Sequence, residues 1–344
     1  MYRQLLILCI CCFFSNSLFG QGFITDVSKS GTSVATFLEI AIGARGVAMG
    51  GANVSIANDA TALYWNPAGI TRLAGNDVVA LHTRWIAGTN FDFLGIVVNM
   101  GNFGSLGFSF TALTMDDMAV RTVEMPDGTG EFFKAGDIAA AVSYARQLTN
   151  RFSIGLTAKF IQQNIWHESA TGFALDAGTT FRTDLFGGMI IGASISNFGT
   201  KMQLSGRDTR LFGRIDESKL GSNERIPQNI ELDSWHLPIL FQFGVSTNLM
   251  ARGDYQWIIA IDALHPSDNY ESLNIGTEIG FRDFFFLRGG YQSLFLDEAE
   301  GGLSFGIGTK SKMLFRNAEI RADYAFRNME RLDSVHVFSL GLSF

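Results

Sequence analysis

The chain has 344 residues, 47% of them hydrophobic and only 17% charged, with 38 glycines, 31 phenylalanines and 5 prolines. Its mean hydropathy of +0.17 is spread thinly instead of gathering into helical spans. That argues against an ordinary soluble enzyme and suits a transmembrane barrel, whose strands alternate lipid-facing and lumen-facing residues. A formal net charge of −7 argues against nucleic acid as a partner.

The one long apolar run is at the N-terminus. Arg3 supplies a positive charge, residues 5–14 an apolar core, and Phe19-Gly20 before Gln21 a cleavage site, so residues 1–20 read as a secretory leader. The run is too short to span a bilayer. Cys9, Cys11 and Cys12 all lie inside it, so the mature chain is expected to hold no disulfide and no cysteine metal site. A lipoprotein reading fails because Leu8 and Cys11, not small residues, precede Cys9 and Cys12. Losing Arg3 leaves 26 − 1 = 25 basic residues against 33 acidic ones, a net charge of −8.

Residues 21–75 do not alternate for long and read as a plug. Phe37, Leu38, Ile40, Ala41, Ala44, Val47 and Ala48 give 36–49 a helix-like spacing broken by Gly43 and Gly46. Asn58 or Asp59 is expected to cap a second short helix through Tyr64, which Pro67 stops. Gly43, Gly46, Gly50 and Gly51 do not fit GxGxxG and no GK[ST] follows, so they read as turn glycines and not as a phosphate loop. Irregular backbone of this kind is allowed inside a barrel, where it never meets lipid.

From Asn76 the period switches to two. Fourteen segments follow, at 76–85, 91–100, 106–111, 138–148, 152–166, 172–183, 188–198, 236–250, 255–265, 273–282, 285–293, 302–309, 318–327 and 334–344. The fold class is therefore all-β, a fourteen-stranded antiparallel transmembrane barrel over 76–344 with a small, partly helical plug in the lumen. The even number is expected to return the C-terminus to the side where the plug began. Short turns at 101–104, 149–151, 183–188, 250–254, 282–284 and 309–313 fall on one side. Longer connections at 116–136, 199–235, 293–301 and 328–333 fall on the other, which is read as extracellular. In the last strand Phe338, Leu340, Leu342 and Phe344 share one face, with Val337, Ser339, Gly341 and Ser343 on the other. That pattern resembles the terminal signal read by bacterial barrel-assembly machinery.

Lys159, Asp176, Arg182, Glu278, Arg282, Arg288, Glu319, Arg321 and Asp323 fall on the small-residue face and are expected to line the lumen, paired with the plug. Gly104 and Gly107 mark where the third strand would weaken if the wall has a defect. His82, His167, His236, His265 and His336 are scattered, with no HExxH and no local nucleophile, and Asp297, Glu298 and Glu300 lack EF-hand spacing. No catalytic residue, metal or cofactor is expected.

The stretch IGARGVAMGGANVSIANDATALYWNPAGI at 42–70 resembles the N-terminal signature of the FadL-like superfamily, especially its PorV/PorQ branch. The match rests on Gly43-Ala44-Arg45, Met49-Gly50-Gly51, Asn58-Asp59-Ala60 and Tyr64-Trp65-Asn66-Pro67-Ala68-Gly69. The resemblance implies a bacterial outer-membrane location, with outer-membrane lipid around the barrel. PorV-like members are associated with type IX secretion and bind the C-terminal signal domains of cargo. FadL-like members instead admit hydrophobic small molecules, an alternative in which Asn66 and Pro67 would control an opening. The charged 199–235 connection carries Arg207, Arg210, Arg214, Lys219 and Arg225 beside Asp208, Asp216, Glu217 and Glu224. It is the candidate surface for type IX components or cargo.

Overall fold

The computed structural model describes residues 29, 31–214, 218, 225–296, 299, 301–312, 318–329 and 331–344. The leader at 1–20, loop residues Asp216, Glu217, Lys219 and Glu224, and the acidic residues Asp297, Glu298 and Glu300 lie outside them.

Alternation of small inner and large outer side chains builds fourteen long strands. They are β1 (Asp77–Arg84), β2 (Asn90–Asn99), β3 (Ser105–Thr114), β4 (Ala135–Thr149), β5 (Phe152–Ile165), β6 (Glu168–Arg182), β7 (Ile190–Gly199), β8 (Leu240–Arg252), β9 (Tyr255–Pro266), β10 (Ser272–Phe281), β11 (Phe285–Leu294), β12 (Leu303–Lys312), β13 (Glu319–Met329) and β14 (Leu332–Ser343). Each pairs antiparallel with its chain neighbours. The pairing of β1 with β14, from Asp77↔Ser343 to Arg84↔His336, closes the ring and leaves no edge. Leu94, Phe108, Phe173, Leu287, Phe338 and Leu340 point outward and are exposed. They form the apolar belt a bilayer requires. No described helix is long and apolar enough to cross a membrane.

The plug fills the lumen with two α-turns, α1 (Ala44–Ala48) and α2 (Ala62–Trp65), and two 3-10 segments, Thr36–Glu39 and Pro67–Arg72. The helix expected over 36–49 is thus two pieces, separated at Gly43, whose φ of 86° is not helical. Thr61, not Asn58 or Asp59, is the N-cap of α2. Asp59 Oδ1 instead accepts from the Thr61 N–H (2.9 Å) just ahead of it. The break falls at Asn66, held extended at φ −165° and ψ 105° by the proline that follows, and Pro67 itself opens the next 3-10 turn.

The plug enters from the long-loop side. Val34 N–H donates to His236 O (3.0 Å) and Lys29 Nζ to Asn269 O (3.1 Å), both at that mouth. The chain then descends to Asn76, whose N–H and C=O both pair with Phe344 (2.8 and 3.0 Å) on the short-turn side. The C-terminus therefore returns to the side where the barrel begins, opposite to where the plug begins, because the plug itself crosses the lumen once. Two outer connections are also shorter than expected. β13 and β14 are separated by 330–331, so 328–333 is mostly strand, and β5 and β6 are joined by Trp166-His167 alone.

The third strand carries no defect. β3 pairs without a register break with β2 (Asn90↔Thr114 to Asn99↔Ser105) and with β4 (Ser105↔Ala145 to Thr114↔Gly136). A Cβ on Gly107 would lie 2.2 Å from Leu63 Cδ2, so this glycine admits the plug instead of weakening the wall, and Gly104 sits in the short turn.

Gly50 demands glycine both for its backbone conformation and for a close approach. It has φ +64°, and a Cβ there would sit 2.6 Å from the Tyr291 backbone N. Gly50→Ala is expected to cost about 3 kcal/mol in denaturant unfolding in micelles. Gly31→Ala, at φ +76° with nothing within 4 Å, should cost only about 1 kcal/mol. Equal losses would show that the close approach at Gly50 contributes nothing.

Candidate functional site

The plug is fixed to the wall by a buried charge network. Arg45 on α1 donates through Nε (2.8 Å) and Nη2 (2.9 Å) to the two carboxylate oxygens of Glu278 on β10, and through Nη1 to Asn58 Oδ1 (2.7 Å). Glu278 Oε2 also accepts from Arg288 Nε (2.6 Å), and Arg288 Nη1 reaches Asp323 Oδ1 (2.5 Å). Glu278 and Arg288 are 4% and 5% exposed, so each charge depends on the other for compensation. Burial works against the Arg45 cation, but the Glu278 carboxylate outweighs it and holds the guanidinium above its ordinary range. A second anchor lies at the end of the barrel. Asp77 Oδ1 accepts from Arg321 Nη2 (2.6 Å) and Ser343 Oγ (2.6 Å), and its Oδ2 from the plug's Ala60 N–H (2.7 Å).

The remaining signature residues hold the plug's own shape. Trp65 Nε1 donates to Ile42 O (2.8 Å), and Asn66 Nδ2 donates to Val54 O and to Thr179 O on β6 (both 3.0 Å) while its Oδ1 accepts from Ala68 N–H (3.1 Å). Gly43 precedes α1, and Gly51 passes against Asn274 of β10. Pro67 packs against Gly155 and Gly178. Arg72 donates to Ser55 O (2.9 Å), and burial, then the neighbouring Arg182 and Arg45 cations, lower it to about 10.

Most of the charges expected to face inward do so. Lys159 Nζ meets Asp176 Oδ2 (2.8 Å) and Asn197 Oδ1 (2.8 Å), and Glu319 meets Lys310 Nζ (3.1 Å). Arg182 is exposed at the strand end. Arg282 is not in the lumen. β10 ends at Phe281, and the turn carries Arg282 to Asp254 Oδ2 (3.0 Å). Beside the plug, a cavity lined by Phe37, Leu38, Tyr64, Phe93, Ala139 and Lys159 measures about 20 Å³.

At the long-loop mouth, separate connections join into one surface. The β3–β4 loop pairs Met118–Ala119 with Phe132–Phe133, and the Phe133 ring lies 6.4 Å from Trp166. Trp166 stacks on His167 (4.4 Å), whose Nδ1 bonds Asp208 Oδ2 (2.7 Å), while Asp208 N–H donates to Glu168 Oε1 (2.7 Å). Beyond it, Arg210–Gly213 and Ile226–Asn229 form a two-stranded hairpin, and Met202 pairs with Trp235. Arg207 is exposed over Asp208 and His167. Arg210, Arg214 and Arg225 are also exposed. These charges stand out in the sequence, whereas Phe132, Trp166, Phe212, Ile230 and Trp235, all exposed on the same surface, do not. Aromatic residues inside polar loops were the signal for them.

Residues 25–236 match the family model of the type IX secretion system protein PorV. No curated protein matches the chain. Similar solved structures include the Pseudomonas putida toluene transporter TodX (15% identity, TM-score 0.53, covering 88% of this chain and 97% of that one). The Ralstonia pickettii toluene transporter TbuX (12%, 0.52, 88% and 98%) and the CymD monoaromatic hydrocarbon channel (13%, 0.52, 89% and 98%) are also similar. At these identities the likeness is one of fold.

Glu278→Ala should destabilise the protein by about 3–5 kcal/mol, since it leaves the Arg45 guanidinium without a carboxylate and the buried Arg288 with Asp323 alone. Asp92→Ala, which breaks the exposed His82–Asp92 pair, should cost no more than about 1 kcal/mol. Denaturant titration in micelles measures both, and similar small losses would remove the network from its anchoring role.

Glu39 provides a pH response at the outer mouth, where surrounding protein and then the Asp268 carboxylate raise it to about 7. Its side chain remains open to solvent on one side. A raised acid favours the folded state fully below its unfolded value of 4.5, and that contribution is lost as pH rises through about 7. Hydrogen exchange of 36–40 is expected to quicken between these values in the wild type, beyond the intrinsic pH effect, and not in Glu39→Gln. Identical profiles would refute it.

Proposed function

The chain belongs to the PorV family of type IX secretion system proteins, and on that premise we propose that its joined extracellular surface captures a secreted cargo's C-terminal domain or a translocon partner. The protein is an outer-membrane barrel, and its part in type IX secretion follows from the family. The observation that carries the finer reading is the contact chain from Phe133 through Trp166, His167 and Asp208 to the Arg210–Gly213 hairpin. It holds exposed aromatic groups beside Arg207 and Arg210 on one framework. Aromatic and arginine side chains on a pre-organised surface are the usual anchors of a protein interface. The role needs no catalytic step.

Passage of a hydrophobic compound is the second reading, favoured by the fold shared with hydrocarbon channels. Two features oppose it: the β3 wall is continuously paired, and the cavity of about 20 Å³ is far below the roughly 300 Å³ at which small-molecule pockets begin.

The test is to replace 205–230 with a short glycine-serine linker. Met202 and Leu237 stay, because both are fully buried. Pull-down from native outer membranes should then lose type IX components or proteins with C-terminal signal domains by at least about tenfold, a loss of roughly 1.4 kcal/mol, while the barrel still folds. Unchanged capture would reject this surface. Specific retention of an apolar compound alone would favour transport.

A further inference from the structure

The outward face of the closing seam carries charge where a barrel wall is otherwise apolar. Arg84 at the outer end of β1 stands directly opposite His336 of β14, and His82 opposite Phe338. Arg84, His82 and His336 are exposed. Residues directly opposite in an antiparallel pair hold their Cβ atoms roughly 5 Å apart, so Arg84 and His336 form one basic patch. Arg84 has no ion pair among the described residues. His82 Nδ1 is engaged by Asp92 Oδ1 at 2.7 Å. His336 Nδ1 bonds the Tyr324 hydroxyl at 2.7 Å. With that hydroxyl donating, the His336 Nε2 carries the proton and is a donor.

An apolar groove of about 360 Å³ starts at the same tyrosine and runs down the outer wall between Phe285, Ile307, Ala322, Tyr324, Phe338 and Leu340. Its walls belong to the lipid-facing belt, so hydrocarbon and not water reaches it. Its upper end lies under Tyr324 and His336. The lower end reaches Phe285, the first residue of β11 next to the short turns.

We propose that this seam binds one phosphorylated lipid of the outer leaflet, an acyl chain in the groove and its phosphate on Arg84 and His336. A guanidinium fork matches a phosphate in geometry as well as in charge, and an unpaired arginine on the wall is tolerated at the interface where such headgroups lie. The site is independent of the loop surface proposed for partner capture. It faces the bilayer instead of the medium.

The test uses the full mature chain in mild detergent, incubated with phosphatidylcholine nanodiscs doped with lipid A in its phosphorylated or dephosphorylated form. Retained lipid is counted by native mass spectrometry. The wild type should retain the phosphorylated form about tenfold better. Arg84→Gln/His336→Gln should abolish that preference, while Arg84→Lys, which keeps the charge, preserves part of it. Ala322→Trp should reduce retention of both forms by filling the groove. Ala140→Trp, in a separate outer groove over β4, should change neither. The heat-dependent gel shift of a folded barrel checks each variant, and His82→Gln with Arg84→Gln replaces the first pair if it does not fold. Equal retention of the two lipid forms, wild-type behaviour of the double variant, or a membrane protein in place of lipid on this seam would overturn the proposal.

Discussion

Arg45 and Glu278 meet inside the barrel, and the arrangement of the plug depends on that contact. A barrel wall constrains its own strands through backbone pairing, but it offers an internal segment no backbone ladder to join. The plug must be positioned by side chains, and in a site shielded from water a doubly hydrogen-bonded guanidinium and carboxylate gives both direction and register. Arg288 and Asp323 extend the pair across β11 and β13, so displacing the plug would expose several unbalanced charges together. Its value lies in specificity, because a buried ion pair resists separation more than it adds net stability.

Glycine on the inner wall is the steric counterpart of that contact. Gly107, Gly155, Gly178, Gly276 and Gly290 each face plug atoms so closely that a Cβ would collide. The plug therefore rests against backbone over much of its surface, which leaves little volume inside. A wall of larger inward residues would hold the plug away and leave a cavity. The same packing distinguishes this molecule from the channel reading, although the overall fold is shared.

With the lumen filled, the surfaces available to other molecules are the outer mouth and the lipid-facing wall. At the mouth, a loop that would otherwise project alone is tied back through Asp208 to His167 and Glu168, so its aromatic groups are displayed on a fixed base. On the wall, the seam of β14 with β1 sets a basic patch above an apolar groove. Closure produces that patch, since Arg84 and His336 are remote in the chain and adjacent only across the seam.

Strand number and order, the direction of most strand side chains and the outer-membrane barrel class were legible in the sequence, because a period of two is local and lipid punishes exceptions to it. The plug's existence was legible too, in the loss of that period before Asn76 and in the ordered signature at 42–70. Its direction was not: entry from the long-loop side rests on contacts of Val34 and Lys29 with residues more than two hundred positions away. Helix limits around Gly43 and Pro67 shifted for the same reason, since turns this short take their shape from what they pack against. The resembled signature named Arg45 as a plug residue, and strand spacing named Glu278 as a lumen charge. Only the closed register decided that they are partners, that Arg282 turns away, and that Gly107 admits Leu63 instead of weakening the wall, because each depends on how far one strand has slid against the next around the ring.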